Sequence, residues 1–450
     1  MIYHSLKDKQ QKASFSTALL SSLAPDGGLY MPDHLPKFDD AALARLGALP
    51  FHQCAGRLAR HFVDERFNGA DLDGICEDAY DFPLPLRTLS GTHLDAATPE
   101  PDDDEYIMEL FHGPTLAFKD FAARFMGRTC AHLLSITGQT RTILVATSGD
   151  TGGAIGHAYL NQPGVKVYIL FPNGGVSSVQ EHQLTSMGRN SNIKAIGVDG
   201  SFDDCQALVK QAFAHKDMSE RHNLMSANSI NVGRVIPQSF YYFWSSLQVK
   251  AAHPKRPIAY SIPSGNLGNL TGGLIARAMG APIDKFVVGN NANHPFIDYL
   301  ETGEYTPRAS VPTLSNAMDI GQPNNFPRIL DLFGGNHEAI TQVVSGLRVS
   351  DEDTERHMRK VYNSTGYLMC PHTAVGHLAM EDFAEKTDEP YTKITVSTAH
   401  PAKFMDDVAR IVRDDIPMPE SLQDCIDAPS HKHVMSPELS ALAKHLDETA

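Results

Sequence analysis

Cysteine is scarce in this sequence and never closely paired. Its six copies among 450 residues (Cys54, Cys76, Cys130, Cys205, Cys370, Cys425) show no CxxC spacing, a pattern that suits free thiols in a reducing compartment better than a disulfide framework. Long apolar runs are missing too. No stretch of about 18 apolar residues occurs, and the opening MIYHSLKDKQQKASF is polar rather than a charged cap on an apolar core. Neither a membrane span nor a signal peptide is expected, and the protein reads as cytoplasmic. The sequence also lacks a dense Lys/Arg cluster. With 38 basic against 53 acidic residues its formal charge is −15, which disfavours nucleic acid and membrane surfaces as partners and requires any anionic ligand to be caught locally. Internal repeats and long low-complexity tracts are absent, and nothing in the pattern fixes an oligomeric state.

What is present is an ordinary globular composition, 42% hydrophobic and 20% charged, long enough for two or three domains with a sizeable core. From about residue 105 the chain repeats strand, turn and helix. YIMEL, TILVAT (142–147), VKVYILF (165–171), IKAIGV (193–198), IAYSIP (258–263), KFVVGN (285–290) and KITVST (393–398) are mostly β-branched and nearly continuous in apolar residues, as strands buried on both faces of a parallel sheet are. Helical stretches such as DDCQALVKQAFAHK and PQSFYYFWSSLQVKAA lie between them. The class expected is α/β with open, wound sheets. Residues 1–95 are expected to form a mostly helical N-terminal region, set apart by the acidic, proline-bearing ATPEPDDDE. A smaller α/β domain would follow over 96–230, and a larger one over 231–450.

Two strand-to-helix turns carry glycine and small polar residues. In ATSGDTGGAIGHA (146–158) the SGDTGG turn closes a strand and opens a helix, so its N–H groups and hydroxyls converge at the positive end of a helix dipole. In IPSGNLGNLTGGLIARAMG (262–280) the glycines Gly265, Gly268, Gly272 and Gly273 let the backbone approach a phosphate. Either turn alone also reads as a packing feature. The second has no Lys-Ser or Lys-Thr after its glycines and no GxGxxG spacing, so it is not a nucleotide fingerprint. Backbone and Asn holding the charge fits a small phosphate monoester.

Lys119 stands in ELFHGPTLAFKDFAARFMGR (109–128), where most other positions call for burial. The bland reading is a lysine whose stem lies on apolar surface and whose ammonium reaches water. HGPTLAF, however, runs into a helix start at Lys119-Asp120, where the dipole and desolvation would lower the amine's pKa and make it a Schiff-base nucleophile. Such a lysine together with a phosphate seat suggests pyridoxal 5′-phosphate. The histidine pairs His372/His377 and His431/His433 have the wrong spacing or setting for a ligand pair, so no metal is expected.

In order along the chain, SFSTALLSSLAPDGGLYMPDHLP, FHGPTLAFKD, TSGDTG, NSINVGRVIPQSFYYF, PSGNLGN, DIGQPNNFPR, TGYLMCPHTAVG and STAHPAKF make a set of motifs by which the sequence resembles the threonine synthase family, pyridoxal-phosphate enzymes of the tryptophan-synthase β-like class. The resemblance runs almost end to end and implies that class's two-domain fold. The opening YHSLKD, without the Ser-Thr-Arg-Gly of many members, and the closing TAHPAKF are similar to the branch found in Gram-negative bacteria and fungi.

The resemblance implies a lyase that makes L-threonine and phosphate from O-phospho-L-homoserine and water, the last step of threonine biosynthesis. Lys119 would be the Schiff-base lysine, taking the Cα proton and then assisting at Cβ. Gly265, Asn266, Leu267, Gly268 and Asn269 would hold the cofactor phosphate. Thr398 would set a hydroxyl near the pyridine nitrogen, which moderates electron withdrawal compared with a carboxylate. Ser148, Gly149, Asp150 and Thr151 would receive the substrate's α-carboxylate. Lys403, with Asn325 and Arg328, would grip the substrate's phosphate. A dehydratase acting on serine or threonine would need no such second anion site, and a non-catalytic binder would not need an intact Lys119 and SGDTG.

Overall fold

In the computed structural model, residues 1–89, 103–188, 190–413 and 415–449 are described. Most of the expected ATPEPDDDE separator lies outside them. Strands such as Ile258–Pro263 are buried at every position, so each needs cover on both faces, and this requirement organises the chain into helix-covered sheets.

The larger sheet has six strands in the order Val344–Arg348, Lys285–Asn290, Ile258–Pro263, Thr392–Ser397, Glu105–Glu109, Leu86–Thr88. All neighbours are parallel except the last pair. A second sheet of five parallel strands runs His433–Met435, Ile193–Val198, Val165–Pro172, Arg141–Ala146, Leu224–Ser226. The expected α/β class with open sheets is the observed one. Strands expected at 193–198, 258–263 and 285–290 have those bounds in the structure.

The domain boundaries expected from the sequence need correction. Leu86–Thr88 and Glu105–Glu109, placed outside the large domain, pair into its sheet, where Ser397 lies opposite Glu109. Near the C-terminus, His433–Met435 returns to the five-stranded sheet beside Ile196–Val198. Sheet membership is set by hydrogen-bond partners far away in sequence, and local pattern does not record them. The N-terminal region is not only helical either. Ile2–Ser5 pairs antiparallel with Lys12–Ser14 and Tyr30–Pro32, in strands too short to show a period.

Aromatic packing joins these parts. Phe51 of the N-terminal region meets Phe121 at 5.6 Å, Phe121 meets Tyr241 at 5.3 Å, and Tyr242 reaches Phe286 of the large sheet at 6.0 Å. Fully buried rings in such edge contacts are worth more than their area alone. Arg328 makes a second joint. Its wholly buried guanidinium donates to the carbonyls of Tyr30 (3.3 Å), Ser229 (2.7 Å) and Ile230 (2.7 Å), and burial pushes its pKa down to about 9.

Removing the guanidinium strands three buried carbonyls. Arg328→Met is expected to lower unfolding stability by about 3–5 kcal/mol, measured by urea denaturation. A change below about 1 kcal/mol would show that water replaces the lost donors.

Candidate active site

The carboxyl ends of the strands converge on one cavity. Arg141–Ala146 leads into Thr147–Gly149 and the helix Asp150–Tyr159; Ile258–Pro263 leads into Ser264–Leu267 and the helix Gly268–Ala278; Thr392–Ser397 ends beside Thr398. Residues from all three turns, with Lys119, Asn228, Ser229, Arg234 and His372, line the cavity. This is where ligands of open α/β sheets gather.

Lys119 is the first residue of the helix Lys119–Thr137. The loop before it is tied down twice. Phe118 N donates to Thr398 O (2.8 Å) and His400 N to Leu116 O (3.0 Å), while the buried Asp120 carboxylate accepts from Thr115 N (2.9 Å) and Thr115 Oγ1 (2.6 Å). The lysine therefore starts its helix at a fixed point on the cavity wall. Its pKa is down to about 8, chiefly through burial, with Asp150 opposing the fall and the Arg234 and Lys403 cations adding to it. At neutral pH a useful fraction is free amine.

Asp150 is buried within 2.8 Å of Lys403 Nζ and accepts from Gln180 Nε2 at 3.1 Å. Burial by itself would raise its pKa, but the Lys403 and Lys119 ammonium groups hold it below the usual carboxylate range. Gly149 is obligatory at this turn: its φ is +128°, and a Cβ there would fall 2.4 Å from Gln180 Cδ.

In the other turn, Leu267 holds a left-handed φ of +60° immediately before Gly268. A non-glycine residue in that region stores strain, which functional turns commonly do. Asn269 follows, its Oδ1 accepting from Tyr241 (2.6 Å) and Tyr242 (2.8 Å) hydroxyls. Its Nδ2 and the Ser264 Oγ are buried without a hydrogen-bond partner among the described residues. Unpaired buried donors beside open helix N–H groups suit an anion. A Cβ at Gly268 would have only ordinary contacts, 3.4 Å or more from Asn325, Gln238 and Ser229. The turn therefore fits the phosphate of a pyridoxal cofactor, with Lys119 and Thr398 on the same wall.

Three family descriptions match the chain: "Pyridoxal-phosphate dependent enzyme" over residues 85–398, "Threonine synthase N terminus" over 2–80 and "Threonine synthase, C-terminal" over 373–446. Threonine synthase of Haemophilus influenzae is 38% identical over 423 residues, covering 94% of each chain. The chain belongs to the threonine synthase family. The crystal structure of the Escherichia coli threonine synthase superposes with a TM-score of 0.89 at 36% identity, covering all of both chains. A pyridoxal-phosphate-bound threonine synthase from Brucella melitensis matches with a TM-score of 0.89 at 33% identity, covering 100% of this chain and 99% of that one. Pyridoxal 5′-phosphate is the cofactor of this threonine synthase family member.

The structure brings Lys119, Gly265–Asn269, Thr398, Ser148, Asp150 and Thr151 to one wall, with Gly149 buried in the turn beside them. It does not bring the three residues expected to grip a substrate phosphate there. Lys403 is wholly buried behind Asp150 and also donates to Thr115 O at 2.8 Å. Arg328 is spent on carbonyls, and Asn325 Nδ2 donates to Ser229 Oγ and Asn266 O, each at 3.0 Å. These two buttress the phosphate turn from behind, and all three are corrected to supporting positions because their donors already have partners. Two wall residues went unselected in the sequence. Arg234, in NSINVGRVIPQ, donates to Ala227 O at 2.6 Å but leaves Nε without a partner among the described residues. His372 accepts from Ala317 N at 3.1 Å, leaving buried Nδ1 unpartnered among them, and burial pushes it down to about 4. The one charged residue in an otherwise uncharged motif was the available signal for Arg234.

Gly265 and Gly268 should separate packing from binding. A Cβ at Gly265 would meet the Met318 backbone at 2.7 Å, so Gly265→Ala is expected to lower the melting temperature by several degrees. Gly268→Ala should melt like the parent yet bind pyridoxal phosphate about tenfold or more weakly. Unchanged cofactor affinity on titration of the Gly268 variant would make that turn a packing feature only.

Lys403→Met isolates the buried ion pair. It leaves Asp150 without its nearest cation, and a loss of about 3–5 kcal/mol is expected at neutral pH. Because the folded Asp150 pKa is depressed, its stabilisation is present above the unfolded carboxylate pKa of about 4 and is lost as pH falls through the folded value. The gap between parent and variant in denaturant melts should shrink toward low pH. A gap constant with pH would assign the loss to packing.

Proposed function

We propose that this threonine synthase family member converts O-phospho-L-homoserine and water to L-threonine and phosphate by γ-elimination followed by addition of water at Cβ. The observation that carries the substrate is Arg234. The cavity needs one anion seat for the cofactor phosphate and one at the Ser148–Thr151 turn for an α-carboxylate. A third buried charge on the wall, Arg234, suits a dianionic leaving group. A dehydratase of serine or threonine would have no use for it. The bound cofactor supplies an electron sink that acidifies Cα.

The chain's own residues do the rest. Lys119 would hold the cofactor and, as a free amine, takes the Cα proton and carries protons at Cβ; a pKa of about 8 keeps it able to do both near neutrality. Asp150, fixed by Lys403 and Gln180, keeps the SGDTG turn in place and a negative charge near that amine. Thr398, on the cavity lining, would offer a hydroxyl to the cofactor's ring. The His372 Nδ1–H, with Nε2 engaged by Ala317 N, offers a neutral donor to bound ligand. Arg234 stabilises phosphate as it leaves. Among the described residues no helix is long and apolar enough to cross a membrane, and the cysteines are free; we place the protein in the cytoplasm.

Phosphate release from O-phospho-L-homoserine, with threonine identified chromatographically, tests the reading. Lys119→Ala is expected to abolish turnover. Arg234→Gln should keep the cofactor's absorbance and lose about two orders of magnitude or more in kcat/KM. Cofactor absorbance without phosphate release in the parent protein would favour a binder, and parental kinetics in the Arg234 variant would remove that residue from the site.

A further inference from the structure

The helices Asp351–Thr365 and Pro371–Glu385 bring together a cluster that the reaction does not use. His357 Nε2 lies 2.8 Å from His377 Nδ1, with both side chains almost completely buried. Glu381 follows His377 by one helical turn, so both project from one face; its carboxylate is 3.8 Å from His357 Nδ1 and 4.0 Å from His377 Nδ1. One ligand atom from each of the three residues can be chosen within 4.8 Å of the others. The sequence pairs, His372/His377 and His431/His433, missed this combination because His357 comes from the neighbouring helix.

Glu105 stands behind the pair. Its Oε1 lies 3.2 Å from His377 Nε2, a charge contact without hydrogen-bond geometry; a carboxylate there favours a proton on Nε2, which turns the Nδ1 lone pair toward His357. A carboxylate behind an imidazole in this way fixes the tautomer and strengthens the ring as a ligand. The contact between the two rings then requires a proton on His357 Nε2. A cation can take that proton's place. The two nitrogens would open from 2.8 Å to about 3.3 Å, as tetrahedral bonds of about 2.0–2.1 Å demand. Beside them is a cavity of about 440 Å³, bordered by His377, Glu381, Glu105 and Asp104, with room for water at a fourth position.

We propose that His357, His377 and Glu381 form a binding site for a divalent transition ion, with zinc the best match to two imidazoles and a carboxylate. The ion bonds to His357 Nε2, His377 Nδ1 and a Glu381 oxygen. The proton leaving His357 Nε2 is taken up on Nδ1 of the same ring, facing Glu381, so no net proton is released. Lys360, which holds Glu381 at 2.7 Å and is 61% exposed, swings into solvent. The site ties together two helices, one of which begins beside His372 on the cavity wall, and its role is structural.

The test uses the full-length, cofactor-loaded protein, stripped with a chelator and titrated with zinc sulfate in a calorimeter. One zinc per chain is expected, with affinity at least tenfold weaker in Glu381→Gln and His357→Gln. Zinc-edge X-ray absorption on the parent protein avoids any dependence on variant folding and should show two imidazole ligands with oxygen completing the shell. Absence of stoichiometric zinc binding, equal affinity in folded variants, or a shell with fewer than two imidazoles would each leave the cluster as a hydrogen bond between helices.

Discussion

Asp150 stands beside two ammonium groups where water is largely excluded, and the site's electrostatics depend on that arrangement. Lys403 lies 2.8 Å from it, and Lys119 is close enough to lower its pKa in turn. Two cations near one anion leave a net positive charge, which desolvation disfavours. The pKa of Lys119 is down to about 8 chiefly because the amine is buried, with Asp150 opposing and the neighbouring cations adding to the fall. The same carboxylate belongs to the SGDTG turn, so Lys119 and that turn share one counter-ion.

The backbone makes this arrangement rigid. Lys119 begins a helix, and its preceding loop is bonded to the segment after the strand Thr392–Ser397 and braced by Asp120. The Gly265–Asn269 turn is braced from behind by Asn325 and Arg328, and Arg328 in turn reaches the N-terminal sheet through Tyr30. Residues that were natural candidates for touching substrate instead brace the residues that line the cavity. A charged group with all its neighbours already hydrogen-bonded contributes geometry, and removing it costs stability before it costs chemistry.

Much of this was legible locally. Continuous β-branched runs gave the central strands their positions because burial on both faces is a property of each segment alone. The lysine at a helix start and the glycine turns were legible for the same reason: a turn's φ demands and a helix's exposed N–H groups belong to a few consecutive residues. What did not show was partnership. Lys403 looked like a free cation after the last strand, and Arg328 like a phosphate ligand, because sequence records a charge but not what faces it.

The sequence by itself therefore determined the class of fold, the lysine at a helix start and both glycine turns, each of which is written in short stretches by steric and hydrogen-bonding rules. The tertiary structure alone decided which strands share a sheet, that Lys403 is committed to Asp150, that Arg234 joins Lys119 in lining the cavity, and that His357 meets His377. The physical reason is common to all four: they are pairings between segments remote in the chain, chosen by which buried groups can satisfy one another once the core has closed.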